Sequence, residues 1–246
     1  MDNKLSGFQQ VKIFHEVFGH PVCTSLQEDI FLTNPKLVDF RISLIEEEKN
    51  ELKEACDQKN LIEVSDAIGD TLFVTYGMCL VLGINYDEYQ LTLDNIPKLY
   101  CSENSNPNID AFDKNQKELE SDLISLENFV TDLKNSCENA NMKKVKENIN
   151  SIVCQCYVIS SLFRINIVEC FSEIFRSNMT KVCSTEEEAK NTVDWYKQND
   201  KRYIDPSYRK SSDDKYWIVF DNSTTKILKS IKFELPNLKK VIFQEV

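Results

Sequence analysis

RISLIEEEKNELKEACDQKNLIEVSDAIGDTLFVTYGMCLVLGI, residues 41–84, is the stretch on which the reading of this chain turns. Its first half sets Glu47, Glu48 and Glu51 within little more than one helical turn. Its second half sets Glu63, Asp66 and Asp70 at i, i+3 and i+7, one stripe of a second helix. That stripe runs through Val64, Ala67, Ile68, Leu72, Phe73 and Val74, side chains that belong in a core. Carboxylates beside a core are costly unless a positive charge meets them, and no Lys or Arg lies between Lys59 and Lys98. Two such helices face to face would form a cage of carboxylate oxygens suited to a hard divalent cation, Mg²⁺ or its substitute Mn²⁺.

Composition narrows what surrounds that stretch. The chain has 246 residues, 41% hydrophobic and 28% charged, as in an ordinary soluble globular protein. Only 5 Gly and 6 Pro favour long helices over a turn-rich β architecture. A net charge of −11 opposes a phosphate-backbone interface, so polymeric nucleic acid is not an expected partner. A small phosphorylated ligand remains compatible, because a metal reverses the local sign. The 9 cysteines form no CxxC pair and the chain has 2 His, which speaks against zinc and for thiols packed in a reducing cytoplasm. The N-terminus has no signal pattern, and the longest apolar run, Thr71 to Ile84, falls short of the roughly 20 residues of a membrane span.

Outward from the acids, residues 5–18 repeat apolar groups at helical spacing and stop at Gly19 and Pro21. A loop to Asn34 follows, then Asn34-Pro35 as cap and first helical position of a helix to about Cys56, with Leu37, Phe40, Leu44, Ile45 and Leu52 on its apolar side. A helix over 61–82 ends at Gly83, and Asn85 caps another that carries Tyr86, Tyr89 and Leu93 and stops at Pro97. Residues 101–110 are a polar linker.

The pattern then repeats at an offset of 81. Asp132-Leu-Lys falls on Glu51-Leu-Lys, Asn141 on Asn60, Val145 on Val64, Ile149 on Ile68 and Ile165-Asn166 on Ile84-Asn85. This reads as an internal duplication of a helical unit. The second copy lacks the cage: Asn128, Phe129, Asp132, Lys144, Glu147 and Ser151 stand where the first copy has Glu47, Glu48, Glu51, Glu63, Asp66 and Asp70. It should fold like the first without taking a metal. Beyond it, 186–199 reads as a short helix, and Tyr216–Phe220 and Thr225–Phe233 as strands of a hairpin turning at Asp221-Asn222-Ser223.

Glu47-Glu48-Lys-Asn-Glu51 followed by Glu63-Val-Ser-Asp66 resembles the EExxE and ExxD motifs of the all-α nucleoside triphosphate pyrophosphohydrolases. That superfamily includes the MazG-like enzymes, the dimeric-type dUTPases and phosphoribosyl-ATP pyrophosphohydrolase. Phe14-His15, Arg41-Ile-Ser-Leu-Ile, Ser177-Asn-Met-Thr-Lys181 and Lys226-Ile-Leu-Lys229 add shorter likenesses to MazG-type relatives. Ala67 departs from the pattern, since many relatives carry an acid there, and Asp66 one position earlier serves in its place.

The resemblance implies a mainly α fold: a tandem pair of MazG-like units making a four-helix-bundle core, with a small C-terminal β-hairpin. The expected divisions are 1–105 for the unit with the acidic site, 106–185 for the degenerate unit and 186–246 for the extension. The implied activity is Mg²⁺-dependent hydrolysis of a nucleoside triphosphate, dUTP or another dNTP among them, to monophosphate and pyrophosphate. Glu48, Glu51, Glu63 and Asp66 are the expected metal ligands, with Asp70 joining a second ion or bracing the first. Glu47 would orient or deprotonate the attacking water, and Asn178, Lys181, Lys229 and Arg41 would contact phosphate or sugar. One chain would supply both halves of the paired subunits that such enzymes use, as a monomer with an internal pseudo-dimer or as a homodimer, with SNMTK of copy two meeting the acids of copy one. The competing reading is a non-catalytic helical binding or regulatory module that kept the fold. Taken alone, Glu46–Glu48 would be a solvated face and Lys226–Lys229 a strand edge guarded by lysines.

Overall fold

The computed structural model describes residues 5–91 and 106–244. They form two compact units: the described parts of 1–11, 22–174 and 237–246 make the first, and 12–21 with 175–236 the second. Helices α1 (Gly7–Phe18) and α9 (Ile167–Met179) contribute residues to both.

The first unit is built on two helical hairpins, α3 (Pro35–Asp57) with α4 (Leu61–Leu82) and α7 (Gln116–Glu138) with α8 (Met142–Leu162). α3 packs on α7 and α4 on α8, giving a four-helix bundle. Short helices α2 (Ile30–Thr33), α5 (Tyr86–Leu91), α6 (Ala111–Lys114) and α11 (Leu238–Phe243) complete it. Pro35 opens α3, where its missing N–H costs nothing. Asn34, expected as a side-chain cap, makes no capping hydrogen bond. The expected loop before it holds α2, whose Ile30 and Phe31 are buried, and Phe40, expected on the apolar side of α3, is 50% exposed.

α4 is the centre of the bundle. By length and apolarity it would pass for a membrane span, but most of it is buried inside the protein. Asn60 caps it, its side chain accepting from the N–H groups of Ile62 at 3.2 Å and Glu63 at 3.4 Å. Its buried Ser65 and Thr71 donate to Leu61 O at 2.8 Å and Ala67 O at 2.7 Å, so neither hydroxyl is left unpaired. Gly83 ends the helix at φ +70°, and any Cβ there would meet Ser25 O at 1.9 Å. That close approach lets the 22–29 segment bond to the end of α4, Cys23 N to Leu80 O and Gln27 N to Leu82 O, both 2.9 Å.

The offset of 81 also relates helix bounds, caps and left-handed residues. It carries the bounds of α3 onto those of α7 and the start of α4 onto that of α8. Asn60 and Asn141 both cap. Lys59 and Ala140 share φ near +50° (53° and 49°), and Gly83 and Arg164 are both left-handed, at 70° and 55°. The expected helix after Asn85 runs as α5 to Leu91; its continuation to Pro97 lies outside the described residues.

In the second unit α10 (Glu186–Asn199) packs on a two-stranded antiparallel sheet, β1 (Pro206–Lys210) with β2 (Trp217–Asp221). Cys183, Ala189, Val193, Tyr196, Val219 and Leu228 form its core. The hairpin differs from the expected one. Trp217–Asp221 is a strand, but its partner is the upstream Pro206–Lys210, with Pro206 opposite Asp221. The 225–233 segment is no second strand: it pairs with β2 at the bridge Phe220–Ile227, where Asp221 N donates to Lys226 O at 3.0 Å and Leu228 N to Val219 O at 2.8 Å. Asp221 explains the change. It is fully buried, and its carboxylate accepts from Asp205 N at 2.9 Å and from Thr224 N at 3.0 Å, as well as from the Ser223 hydroxyl. Those bonds close a tight turn after β2 and tie it to the residue preceding β1. The eight described cysteines are all free thiols.

Candidate active site

The acids gather where α3 and α4 face each other. Glu48 is half-buried, and its pKa is pushed up to about 8, first by burial and then by Asp70, Glu51, Glu47 and Asp66 in that order. Two of these neighbours sit on its own helix and one turn or less away; the other two come from α4. The structure therefore brings five of the sequence-selected acids into one electrostatic neighbourhood. Glu47 and Glu51 are exposed and Asp66 and Asp70 half-buried, so the cluster opens toward solvent at one side and presses into the bundle at the other.

Glu63 stands apart from that set. It is exposed in the first turn of α4, its N–H bound by the Asn60 cap, and it is not among the main groups that raise Glu48. A carboxylate in the first turn is favoured by the helix dipole, which accounts for Glu63 without any ligand. Among the described residues, no three Asp, Glu, His or Cys side chains stand in the arrangement of a formed metal shell.

The remaining selected residues fall in both units. Arg41 is buried on α3 at 6% exposure. Asn178, in the last turn of α9, is half-buried, and Lys181 just beyond has its Nζ 5.8 Å from the centre of the Phe14 ring. Ser177 Oγ, just before Asn178, donates to Glu234 O at 2.7 Å, and Glu234 N donates to Thr180 Oγ1 at 2.9 Å, so the SNMTK segment is pinned to residue 234. Lys229 is exposed, its Nζ 4.4 Å from the Phe233 ring centre while its backbone exchanges hydrogen bonds with the Tyr196 hydroxyl. Asn178, Lys181 and Lys229 belong to the second unit and the acids to the first.

The corresponding place on α7 and α8, 81 residues further on, has a different chemistry. A cleft of about 430 Å³ there is lined by Asp132, Lys144 and the carboxamides of Asn135, Asn139, Asn141 and Asn148. Lys144, standing at the position of Glu63, pairs with Glu147, standing at that of Asp66, at 2.8 Å. The second site is thus neutralised from within by a lysine, where the first is left with its repulsion.

The sequence profile of the phosphoribosyl-ATP pyrophosphohydrolase family matches residues 11–95, the part of the chain that carries α3, α4 and every acid of the cluster. The chain belongs to this family, within the MazG-like all-α nucleoside triphosphate pyrophosphohydrolase superfamily. An uncharacterised protein of Acanthamoeba polyphaga mimivirus is 34% identical over 243 residues, spanning 97% of this chain and 96% of its own length. No solved structure matches the chain. As a family member the protein is a pyrophosphohydrolase, a hydrolase acting on nucleotides. For this pyrophosphohydrolase the donor set fits a hard cation: all oxygen, no thiol or imidazole among the groups acting on Glu48. The lack of a closed shell is no obstacle, because Mg²⁺ keeps several waters and takes only one or two carboxylates from a protein.

Proposed function

We propose that the protein hydrolyses a nucleoside triphosphate to monophosphate and pyrophosphate with a divalent cation held by the acids of α3 and α4. The observation that carries this reading is the state of Glu48. A carboxyl pushed up to about 8 by burial and four neighbouring acids sits in a site short of positive charge. A cation supplies that charge and at the same time makes a polyanionic substrate welcome.

In this reading Glu48, Glu51, Glu63 and Asp66 are the proposed ligands, some of them through the waters that Mg²⁺ keeps, and Asp70 serves a second ion or braces the first. A bound Mg²⁺ supplies charge neutralisation at the phosphate oxygens and acidifies nearby water. Glu47, exposed one residue before Glu48, is placed at the open side of the cluster and accepts a proton from the attacking water. The water oxygen bonds to the α-phosphorus while its bond to the bridging oxygen breaks, and pyrophosphate departs with that oxygen. Half-buried Glu48 and the apolar neighbours Ile45 and Leu52 limit water on the inner side. Asn178, Lys181, Lys229 and Arg41 are proposed contacts to phosphate or sugar. We also read the two halves as an internal duplication, supported by the shared offset of helix bounds, caps and left-handed residues, with copy two relieved of metal binding by Lys144.

The test is pyrophosphate release from a panel of ribo- and deoxyribonucleoside triphosphates, dUTP included, and from phosphoribosyl-ATP, with Mg²⁺, Mn²⁺ or EDTA. Release with either metal and none in EDTA is expected. A folded protein that releases pyrophosphate from nothing on the panel would return the chain to the class of helical binding modules.

A further inference from the structure

The cleft between α7 and α8 has no part in the proposed reaction, and its lining differs in kind from the acid cluster. At about 430 Å³ it has the size of an ordinary small-ligand site, yet no apolar or aromatic side chain lines it. Its floor is a polar pair. Asn148 Nδ2 donates to Ser136 Oγ at 3.0 Å, and both residues are half-buried while the rest of the lining is exposed. Ala55 and Ala67, 81 positions earlier on α3 and α4, are buried and apolar. Polar groups at such a depth are tolerated when they are hydrogen-bonded, as these two are to each other.

The hydrogen-bonding groups left over define what the cleft can receive. Asn148 uses its amide group on Ser136, and Asn139 uses its own on Asn135 O at 2.7 Å, so each keeps a carboxamide oxygen. Asn141 is the reverse: its oxygen accepts from Lys144 N at 3.1 Å, and its amide group is left. The carboxamide of Asn135 makes no hydrogen bond among the described residues, so a donor and an acceptor stand side by side there. Asp132 is exposed one turn earlier on α7, in no ion pair among the described residues. Lys144 adds little positive charge, because Glu147 holds it at 2.8 Å. With one carboxylate and a lysine already paired, the cleft has no excess charge to draw a phosphate. It has donors and acceptors for a neutral molecule.

We propose that this cleft binds a neutral ribonucleoside, with adenosine the best match, apart from the cation and phosphate chemistry of the acid cluster. The Asn135 carboxamide pairs with a base edge that carries donor and acceptor together, as asparagine does with N6 and N7 of adenine. The Asp132 carboxylate accepts from the ribose hydroxyls, the part an acidic residue plays toward ribose in dinucleotide sites. Three residues apart on one helix, the two side chains are neighbours that a single nucleoside reaches together. The assignment does not depend on the hydrolytic reading of the acids on α3 and α4.

The test titrates adenosine calorimetrically into the full-length protein in EDTA, so that cation-dependent binding is silent, with 2′-deoxyadenosine, AMP and orthophosphate as comparison probes. Adenosine should bind saturably, AMP no more tightly, and orthophosphate not at all. Deoxyadenosine should bind about threefold or more weakly, as for one lost hydrogen bond. Asn135→Ala removes a side chain with no bond to the rest of the fold; it should melt like the wild type and bind adenosine about tenfold more weakly. Asp132→Asn should erase the preference for ribose over deoxyribose, and Asp66→Asn should leave adenosine binding unchanged. Absence of adenosine binding in the wild type, full affinity in Asn135→Ala, or loss of binding in Asp66→Asn overturns the assignment. Tighter binding of AMP than of adenosine, or binding of orthophosphate, would make the cleft an anion site and overturn the neutral ligand.

Discussion

Glu46 on α3 and Glu127 on α7, 81 residues apart, are each held by a lysine of the opposite helix. Lys134 of α7 meets Glu46 of α3 at 3.2 Å, and Lys49 of α3 meets Glu127 of α7. The first consequence is a division of labour inside the Glu46-Glu47-Glu48 run. Glu46 is spent on joining the halves of the bundle, while Glu47 and Glu48 are left to the acid cluster.

The two pairs differ in burial, and so should their contributions. The Lys49 side chain is 10% exposed against 49% for Lys134. Removing Lys49 strips Glu127 of its partner and empties a space within the helix pair, so Lys49→Ala should cost about 1–3 kcal/mol, between the surface and buried limits. Lys134→Ala should cost less than about 1 kcal/mol. Urea denaturation of both variants would check the order; equal losses would mean that burial of Lys49 contributes nothing.

Glu48 makes stability depend on pH in a defined direction. Its pKa in the folded chain is about 8, raised first by burial, against an ordinary glutamate value near 4.5. A raised acid stabilises the fold in its protonated form, so the contribution is complete below about 4.5 and is lost as pH climbs through about 8. In EDTA the protein should therefore lose up to about 5 kcal/mol across this range relative to Glu48→Gln, less to the extent that solvent screens the half-buried group. Melting curves from pH 5 to pH 9 for both proteins would show it. A parallel pH dependence in the two would place the effect elsewhere.

The helices were legible because their signals are local. Pro35, Asn60, Gly83 and the 3.6-residue rhythm fix α3 and α4 within a residue or two, and 186–199 was read to its ends as α10. The acid cluster was legible for a related reason: spacing on two helices joined by three residues leaves little freedom in which faces meet. What sequence could not supply was partner choice at a distance. The β-propensity of Trp217–Asp221 was plain, but its pairing with Pro206–Lys210 is decided by the buried Asp221 holding Asp205 N, a tertiary contact. Phe40 follows the apolar rhythm of α3 yet is half-exposed, because no element packs over that side of the helix among the described residues. Arg41 was picked out from a motif, whereas the burial that leaves its Nε without a partner needed the packed bundle.

Gly83 and Arg164 offer a paired test of backbone chemistry at equivalent helix ends. Both are left-handed, at φ 70° and 55°, but one is glycine and the other is not. Arg164→Gly relieves a strained conformation and should stabilise by about 0.5–1 kcal/mol. Gly83→Ala should destabilise by more than that, because its Cβ would also fall 1.9 Å from Ser25 O, a backbone atom that cannot swing aside. Thermal melts of the two variants should move in opposite directions. A shift in the same direction would mean that these two helix ends are not conformational equivalents.

The division inside the Glu46–Glu48 run leads to the sharpest activity contrast. Three adjacent glutamates have the same side chain and different company: Glu46 has Lys134, Glu47 has solvent, and Glu48 has burial and four other acids. Charge-removing, shape-preserving changes should therefore give three outcomes. Glu46→Gln should keep turnover within about twofold, since it loses only a partly exposed ion pair worth under about 1 kcal/mol. Glu48→Gln should lose metal-dependent turnover by at least about a hundredfold and bind Mg²⁺ more weakly, and Asp66→Asn should behave likewise across the helix pair. Glu47→Gln should keep metal binding, as read by calorimetry, yet lose turnover by about 10²–10⁴-fold, as for a group that takes up the proton of the attacking water. Loss of metal binding in Glu47→Gln would make it a ligand rather than a base, and undiminished turnover in Glu48→Gln would take the cation site away from this face of α3 altogether.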